Sequence, residues 1–308
     1  MDIFLSLFVN LLPLYAFIAL GYFAGRVLKI DKQTLASLAI FIFVPIVVFG
    51  FISDMDFHPS YILLPIFLYA SYVVTGLSYY ALGRKIYGPD DNQANLMAMC
   101  ASMGNVGYFG IPLVMLLFEK EIVAVYIFMM LGTGLYEATF GYYFAVRSNF
   151  NIRDSLKKLA KFPIVYAMAA GFVVNAMNIE LPEVFWTNWE HVKGAYVIAG
   201  MMIIGAALAD IKKLVIDPKF VALVFSGKFV LVPLMGALFI WLDKTVFHWL
   251  TTDLHQVIVL ITIVPPAANV VAFASQLNIR PEKAATTILI GTIFALFYIP
   301  AIVWMIGI

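Results

Sequence analysis

An all-α protein that crosses a membrane many times is the fold class this sequence predicts, and three observations predict it. Of its 308 residues, 63% are hydrophobic and only 12% are Asp, Glu, Lys or Arg, against about 25% charged in a soluble domain. Its mean hydropathy is +0.96. The apolar residues fall in runs of about 20, the length a helix needs to span the hydrocarbon core. Backbone facing lipid must satisfy its own polar groups, so such runs are read as helices.

Ten runs qualify, at about 3–25, 35–53, 60–83, 92–118, 121–146, 163–178, 193–211, 218–242, 254–277 and 283–307. The first lacks a basic leader (Asp2 is acidic), is too long for a signal peptide, and is followed by no small-x-small cleavage site. It is expected to remain as a span. The second follows a short basic loop and holds Pro45; the third ends at Arg84-Lys85. "GPDDNQ" then precedes the fourth, where its acids are expected to cap the helix. The fourth is broken in its middle by "MGNVGYFGIP", and the ninth carries "VPPAANVVAF". The fifth holds Glu137 and the eighth Lys228, the sixth is short, and the seventh follows a Trp-rich loop, "ELPEVFWTNWEHV". Pro13, Pro45, Pro65, Pro233 and Pro300 are expected to kink their helices.

Basic residues set the orientation. Arg26, Lys29, Lys32, Arg84, Lys85, Arg147, Arg153, Lys157, Lys158, Lys161, Lys212, Lys213, Lys219, Arg280 and Lys283 fall on one side. Lys120, Lys193 and Lys244 fall on the other. The basic loops are therefore expected in the cytoplasm and both termini outside, in a multi-pass protein of the cell (inner) membrane.

The net charge of +1 offers no footing for nucleic acid. The single cysteine, Cys100, excludes an intrachain disulfide. His58, His191, His248 and His255 fall in or near predicted loops without metal-ligand spacing. There is no HExxH, no GxSxG and no acidic cluster for a metal and a diphosphate, so neither an enzyme nor a cofactor is expected.

The longest basic loop divides the chain into residues 1–150, a linker at 151–162, and residues 163–308. Five spans on each side make any repeat an inverted one. Gly21 and Gly171 are 150 residues apart, Asn105 and Asn269 are 164 apart, and the Trp-rich loop can supply the difference. Asn105 and Asn269 both fall near the midplane at 1.5 Å per residue. Interrupted segments in corresponding positions of two halves point to a transporter's binding site. Broken helices there present N–H groups and dipoles that favour an anion, glycines such as Gly107 allow close approach, and an amide can donate to a carboxylate. Tyr108 and Phe109 either gate the break or pack between helices.

Two ionisable residues lie well inside spans, Glu137 in "GLYEATF" and Lys228 in "FSGKFVL". A charge at the bilayer centre costs about 2.5–3.5 kcal/mol on an insertion scale. Three readings stay open: a structural pair, a proton-coupling site, or contact of Lys228 with an anionic substrate.

"GNVGYFGIPL", "GYFAGRVLKIDKQTLASLAIFIFVPIVVFGF" and "GAAL" resemble the auxin efflux carrier family, which includes malate or malonate permeases and PIN-type carriers. The long central loop of the plant carriers is absent, as in the short prokaryotic type. The resemblance implies ten transmembrane helices as a 5+5 inverted repeat, with broken helices 4 and 9 crossing. It also implies a scaffold of spans 1, 2, 6 and 7 and a mobile transport domain of spans 3–5 and 8–10. Asn105, Gly107, Tyr108, Pro112, Pro265, Pro266 and Asn269 would then surround a small organic anion, and the scaffold offers surface for a homodimer. A sodium-coupled symporter of the bile-acid type is the alternative. A cation/proton antiporter is disfavoured because neither interruption holds an acid, and a channel because there is no ring of like charges.

Overall fold

The computed structural model describes residues 2–88, 91–141, 143–144, 163–209, 213–276 and 279–307. Helices carry the chain, and no strand is found among the described residues. In order they are α1 (Phe4–Leu28), α2 (Lys32–Ser53), α3 (Pro59–Tyr87), α4 (Gln93–Ser102), α5 (Val106–Leu117), α6 (Lys120–Gly141), α7 (Pro163–Ala176), α8 (Glu183–Ala209), α9 (Pro218–Phe247), α10 (Thr252–Ile263), α11 (Asn269–Gln276) and α12 (Pro281–Ile306). By length and composition α1, α2, α3, α6, α8, α9 and α12 can each cross a membrane. The other three expected spans differ: the fourth is divided into α4 and α5, the ninth into α10 and α11, and the sixth is the 14-residue α7.

Local chemistry fixes the ends. Asp31 caps α2, accepting the N–H groups of Gln33 at 3.1 Å and Thr34 at 3.2 Å. Asp217 caps α9 by accepting from Phe220 at 3.0 Å, with Pro218 at the first helical position, where no donor is needed. Asp91 accepts from Gln93 N–H at 2.9 Å, as a cap at the start of α4 should. Gly88 closes α3 at φ 92°, a conformation that side chains resist.

Of the expected kinks, Pro65 falls in the first turn of the α-helical part of α3, and the others divide into two kinds, the second shared by Pro112 of the fourth span. Pro13 and Pro300 sit inside helices. Pro45, Pro112 and Pro233 each follow a wide π-helical turn, at Ala39–Phe43, Val106–Gly110 and Ser226–Leu231. Proline lacks an N–H and its ring clashes with the carbonyl four residues back. A turn with one extra residue just before it moves that carbonyl aside.

The helices pack in two groups. Gly21 lies on the Met202 backbone and Gly205 on that of Ile18, so α1 and α8 touch main chain to main chain. Asn175 of α7 donates to the carbonyls of Ser53 and Met55 at 3.2 and 2.8 Å, satisfying acceptors at the end of α2. Trp189 of α8 donates to Ile46 O at 3.2 Å and meets Phe51 edge-on at 4.8 Å. In the other group, Phe67 of α3 stacks on Phe239 of α9 at 4.4 Å, and Tyr79 bonds Ser226 at 2.6 Å. Tyr298 of α12 reaches the carbonyl of Phe229 at 2.7 Å. Across the two groups, Tyr15 of α1 meets Phe109 of α5 edge-on at 6.0 Å.

Two expectations are corrected. The Trp-rich stretch is not a loop: α8 begins at Glu183, just after Pro182, and Trp186 and Trp189 are helical residues packed on α2. Any residues it adds to the second half are therefore mostly helix rather than loop. His191 and His255 are helical as well. The central basic linker at 151–162 lies outside the described residues.

Candidate functional site

Two interruptions in apolar helices meet side by side. Helix α4 ends with Met103, whose N–H bonds Met99 O at 3.0 Å. The chain then runs extended through Gly104, which forms an antiparallel bridge with Pro266. Asn105 N–H donates to Pro265 O at 2.8 Å, and Ala267 N–H donates to Met103 O at 2.9 Å. Each break supplies what the other lacks, which explains how non-helical backbone survives among buried residues. Pro265 and Pro266 contribute further by having no N–H to satisfy. Gly291 of α12 leaves the space that the Pro266 ring occupies; a Cβ there would come within 2.8 Å of it.

Beyond each break a new half-helix starts, α5 at Val106 and α11 at Asn269. Both N-termini therefore begin at the paired segment, where the N–H groups of Val106, Val270 and Val271 bond the carbonyls of Gly104, Ala267 and Ala268 at 2.8, 3.2 and 3.2 Å in place of the carbonyls a full helical turn back. Asn105 is 6% exposed, and its side chain bonds no described residue. Gly107 is open: the nearest atoms to an added Cβ would be Met130 Cε at 3.8 Å and the Tyr196 hydroxyl at 3.9 Å. Tyr108 lies against Gly200 of α8 at ordinary contact distance. Pro112 is buried one turn further along α5. Tyr126 of α6 holds the start of α5 by donating to Val106 O at 3.1 Å.

Asn269 and Glu137, read separately from the sequence, are brought together: Asn269 Nδ2 donates to Glu137 Oε1 at 2.7 Å. Lys228 and Glu137 are not, since no ion pair joins them. Lys228 is fully buried and donates to Thr262 O at 3.2 Å. Its ammonium also lies 5.6 Å from the centre of the Tyr72 ring. Sequence reasoning missed Tyr72, Thr133 and Thr262, which come from three different helices. The only signal was a hydroxyl in an apolar run. Among the described residues the buried Tyr72 hydroxyl, Thr133 Oγ1 and Asn269 Oδ1 make no hydrogen bond of good geometry, although the first two lie side by side.

At one end of this helix group a polar knot joins chain segments far apart in sequence. Lys283 bonds Asp217 at 2.6 Å and also donates to Gln93. Arg280 reaches Asp91 at 3.3 Å. The bond from Lys283, followed by that from the Phe220 N–H, holds the Asp217 carboxyl below the usual carboxylate range. Among the described residues no group of three His, Cys, Asp or Glu is placed to hold a metal.

The architecture is that of a multi-pass helical membrane protein built around two interrupted helices. The chain matches the family described as membrane transport protein over residues 6–148 and 146–305. It belongs to that family, the auxin efflux carrier family, as "GNVGYFGIPL" suggested. It is also similar to an uncharacterized transporter of Methanocaldococcus jannaschii, 25% identical over 203 residues, which is 62% of this chain. The match spans 66% of that relative, just under two thirds of its length.

Proposed function

We propose that this membrane transport protein is an elevator-type secondary carrier of small organic anions, binding them between the two interruptions. The observation that carries the reading is the pairing of residues 103–105 with 265–267, which sets two half-helix N-termini beside an unpartnered Asn105 amide. Helix N-termini and amide donors suit a carboxylate, and they add no opposite charge that would trap it. In this reading Asn105, Gly107 and Tyr108 contact the anion, Pro112, Pro265 and Pro266 shape the breaks, and Asn269 links the site to Glu137.

The same reading takes α4 with α5, and α10 with α11, as spans 4 and 9 of a ten-span, 5+5 inverted repeat. Residues 1–150 and 163–308 are then its two halves, crossing at these breaks. Close packing of α1 on α8 and of α2 on α7 supports a scaffold of spans 1, 2, 6 and 7, whose lipid-facing surface would serve a homodimer. The basic loops support termini outside a cell membrane. A second reading, sodium-coupled symport, draws on the unpartnered acceptors Asn269 Oδ1 and Thr133 Oγ1.

Counterflow in proteoliposomes tests the proposal. Vesicles loaded with unlabelled malonate, malate or indole-acetate are expected to accumulate the labelled compound. Asn105→Ala is expected to lower this roughly 10- to 100-fold, the equivalent of one hydrogen bond to a charged group. Undiminished uptake by that variant, or no uptake of any of the three by folded protein, would overturn the reading.

A further inference from the structure

Helix α10 stops at Ile263, so its last carbonyls lack intrahelical partners and form the negative end of its dipole. In broken-helix carriers such C-terminal ends, with unwound carbonyls, are places where a coupling cation binds. Here a side chain from another helix fills the position. Lys228 of α9 is 0% exposed, and its Nζ donates to Thr262 O at 3.2 Å. The Tyr72 ring lies 5.6 Å away. The Lys228 Nζ and the Tyr72 hydroxyl each come within 2.8 Å of the point a Cβ on Gly104 would occupy, so the ammonium sits directly behind the first interruption. The buried Tyr72 hydroxyl lies beside Thr133 Oγ1 and the Gly104 backbone, and among the described residues neither hydroxyl makes a hydrogen bond of good geometry.

The Thr262 carbonyl, the Tyr72 hydroxyl and the Tyr72 ring face, with Thr133 Oγ1 behind that hydroxyl, offer neutral oxygens and π-density suited to a monovalent cation. Among the described residues no carboxylate pairs with the lysine; Glu137 is engaged by Asn269 instead. We infer that Lys228 is a tethered cation, holding at the end of α10 the place an inorganic coupling cation would take. Binding and transport at the interruptions then require neither sodium nor potassium. The inference rests on the carrier reading above and favours its cation-independent form.

The deciding experiment measures thermal unfolding of the purified full-length protein in sodium, potassium, lithium, methylammonium or choline chloride at one ionic strength. The wild type is expected to melt at the same temperature in all five. Lys228→Ala empties the position, and is expected to gain a saturable rise of about 2–4 °C or more in an alkali cation or methylammonium over choline. Lys228→Met refills the space without charge and is expected to gain none. A saturable alkali-cation rise in the wild type, or a Lys228→Ala variant indifferent to every salt, would overturn the inference. Should Lys228→Ala not fold in any salt, the wild-type melting series decides. Wild-type malonate counterflow is a second readout: activity within about twofold after choline replaces sodium and potassium supports the inference, and tenfold loss refutes it. Absence of counterflow in every salt would count against the organic-anion reading alone, with melting still judging Lys228.

Discussion

Two glycines three residues apart separate what the first interruption needs in order to fold from what it needs in order to work. A Cβ on Gly104 would lie 2.8 Å from each of Lys228 Nζ, the Tyr72 hydroxyl and Val264 Cγ2. All three belong to buried side chains. Overpacking a filled core costs about 1–3 kcal/mol, and three simultaneous close approaches put Gly104→Ala near ~3 kcal/mol. A Cβ on Gly107 would meet nothing nearer than 3.8 Å, and Gly107 lies in a helical turn. There alanine is intrinsically better than glycine by up to about 1 kcal/mol. Gly107→Ala is therefore expected to fold as well as the wild type or better, while its methyl fills the open space beside the half-helix N-terminus. Malonate counterflow should fall about tenfold or more. Thermal unfolding and counterflow on the same preparations check both halves: a loss of roughly 4–6 °C for Gly104→Ala, and no loss for Gly107→Ala. Gly107→Ala with wild-type counterflow would refute the placement of substrate at this turn. Gly104→Ala with a wild-type melting temperature would refute the packing argument.

Three further predictions concern the anchors. Asp217→Asn keeps a capping side chain at α9 but leaves Lys283, 5% exposed, with Gln93 alone, at an expected cost of about 2 kcal/mol in a melting or denaturant series. Because folding lowers the Asp217 pKa, its contribution is complete above the unfolded value and lost as pH falls through the folded one. The wild type should thus lose this increment only at pH below the ordinary Asp range of about 3.9, and Asp217→Asn should show no such loss. Asp243 is 3% exposed and accepts from Trp249 N–H at 3.0 Å, Leu250 N–H at 3.2 Å and His255 Nε2 at 2.8 Å. An amide at this position has one acceptor oxygen instead of two, so Asp243→Asn should cost about 2–3 kcal/mol by thermal unfolding. Lys120 bonds Asp54 at 2.6 Å and lies 3.6 Å from the Trp186 ring centre. Lys120→Met should cost about 1 kcal/mol, and only the ion-pair share of that cost should fade in high salt.

What was legible in the sequence followed from one-dimensional rules. Apolar runs of spanning length gave the long helices, and Gly, Asn and Pro gave both interruptions, because each acts on its own backbone. The acids of "GPDDNQ" could be read as a cap for the same reason, and Asp91 accepts the Gln93 N–H. The partnership of the interruptions could not be derived from spacing: Asn105 and Pro265 are joined by a main-chain bond that leaves no side-chain signature. The polar lining was hidden too, since Tyr72, Thr133 and Thr262 look like ordinary residues of apolar helices until packing buries the Tyr72 and Thr133 hydroxyls and sets the Thr262 carbonyl against Lys228. The Trp-rich segment misled because its polar residues looked like a loop. They lie on one stretch of α8 whose tryptophans are held by α2, where Trp189 donates to Ile46 O. The two buried charges invited a pairing that neither makes: Glu137 is bonded by Asn269 and Lys228 by a carbonyl.

The bonds across the two breaks also limit how the site could move. Separating residues 103–105 from 265–267 would strip partners from the Asn105 and Ala267 N–H groups in an apolar surrounding, at about 1–3 kcal/mol for each orphan. The knot of Lys283 with Asp217 and Gln93 fastens α12, α9 and α4 in the same way. The seam between α5 and α8 is different. There Tyr108 meets Gly200 at 3.4–3.5 Å from an added Cβ, and Gly107 has no neighbour of its prospective Cβ nearer than 3.8 Å. No hydrogen bond of Gly107, Tyr108 or Gly200 crosses this seam among the described residues. A displacement that carries both interruptions together past α8 would keep the bonds across the breaks and the Lys283 knot. It would have to release Tyr15 of α1 from Thr292 O of α12 (2.8 Å) and Lys120 of α6 from Asp54 (2.6 Å), whereas one that parts the interruptions breaks at least two of the bonds across them. On the elevator reading proposed above, the bonds across the breaks favour motion of the paired segment as one body, with Gly107, Tyr108 and Gly200 as the proposed sliding surface.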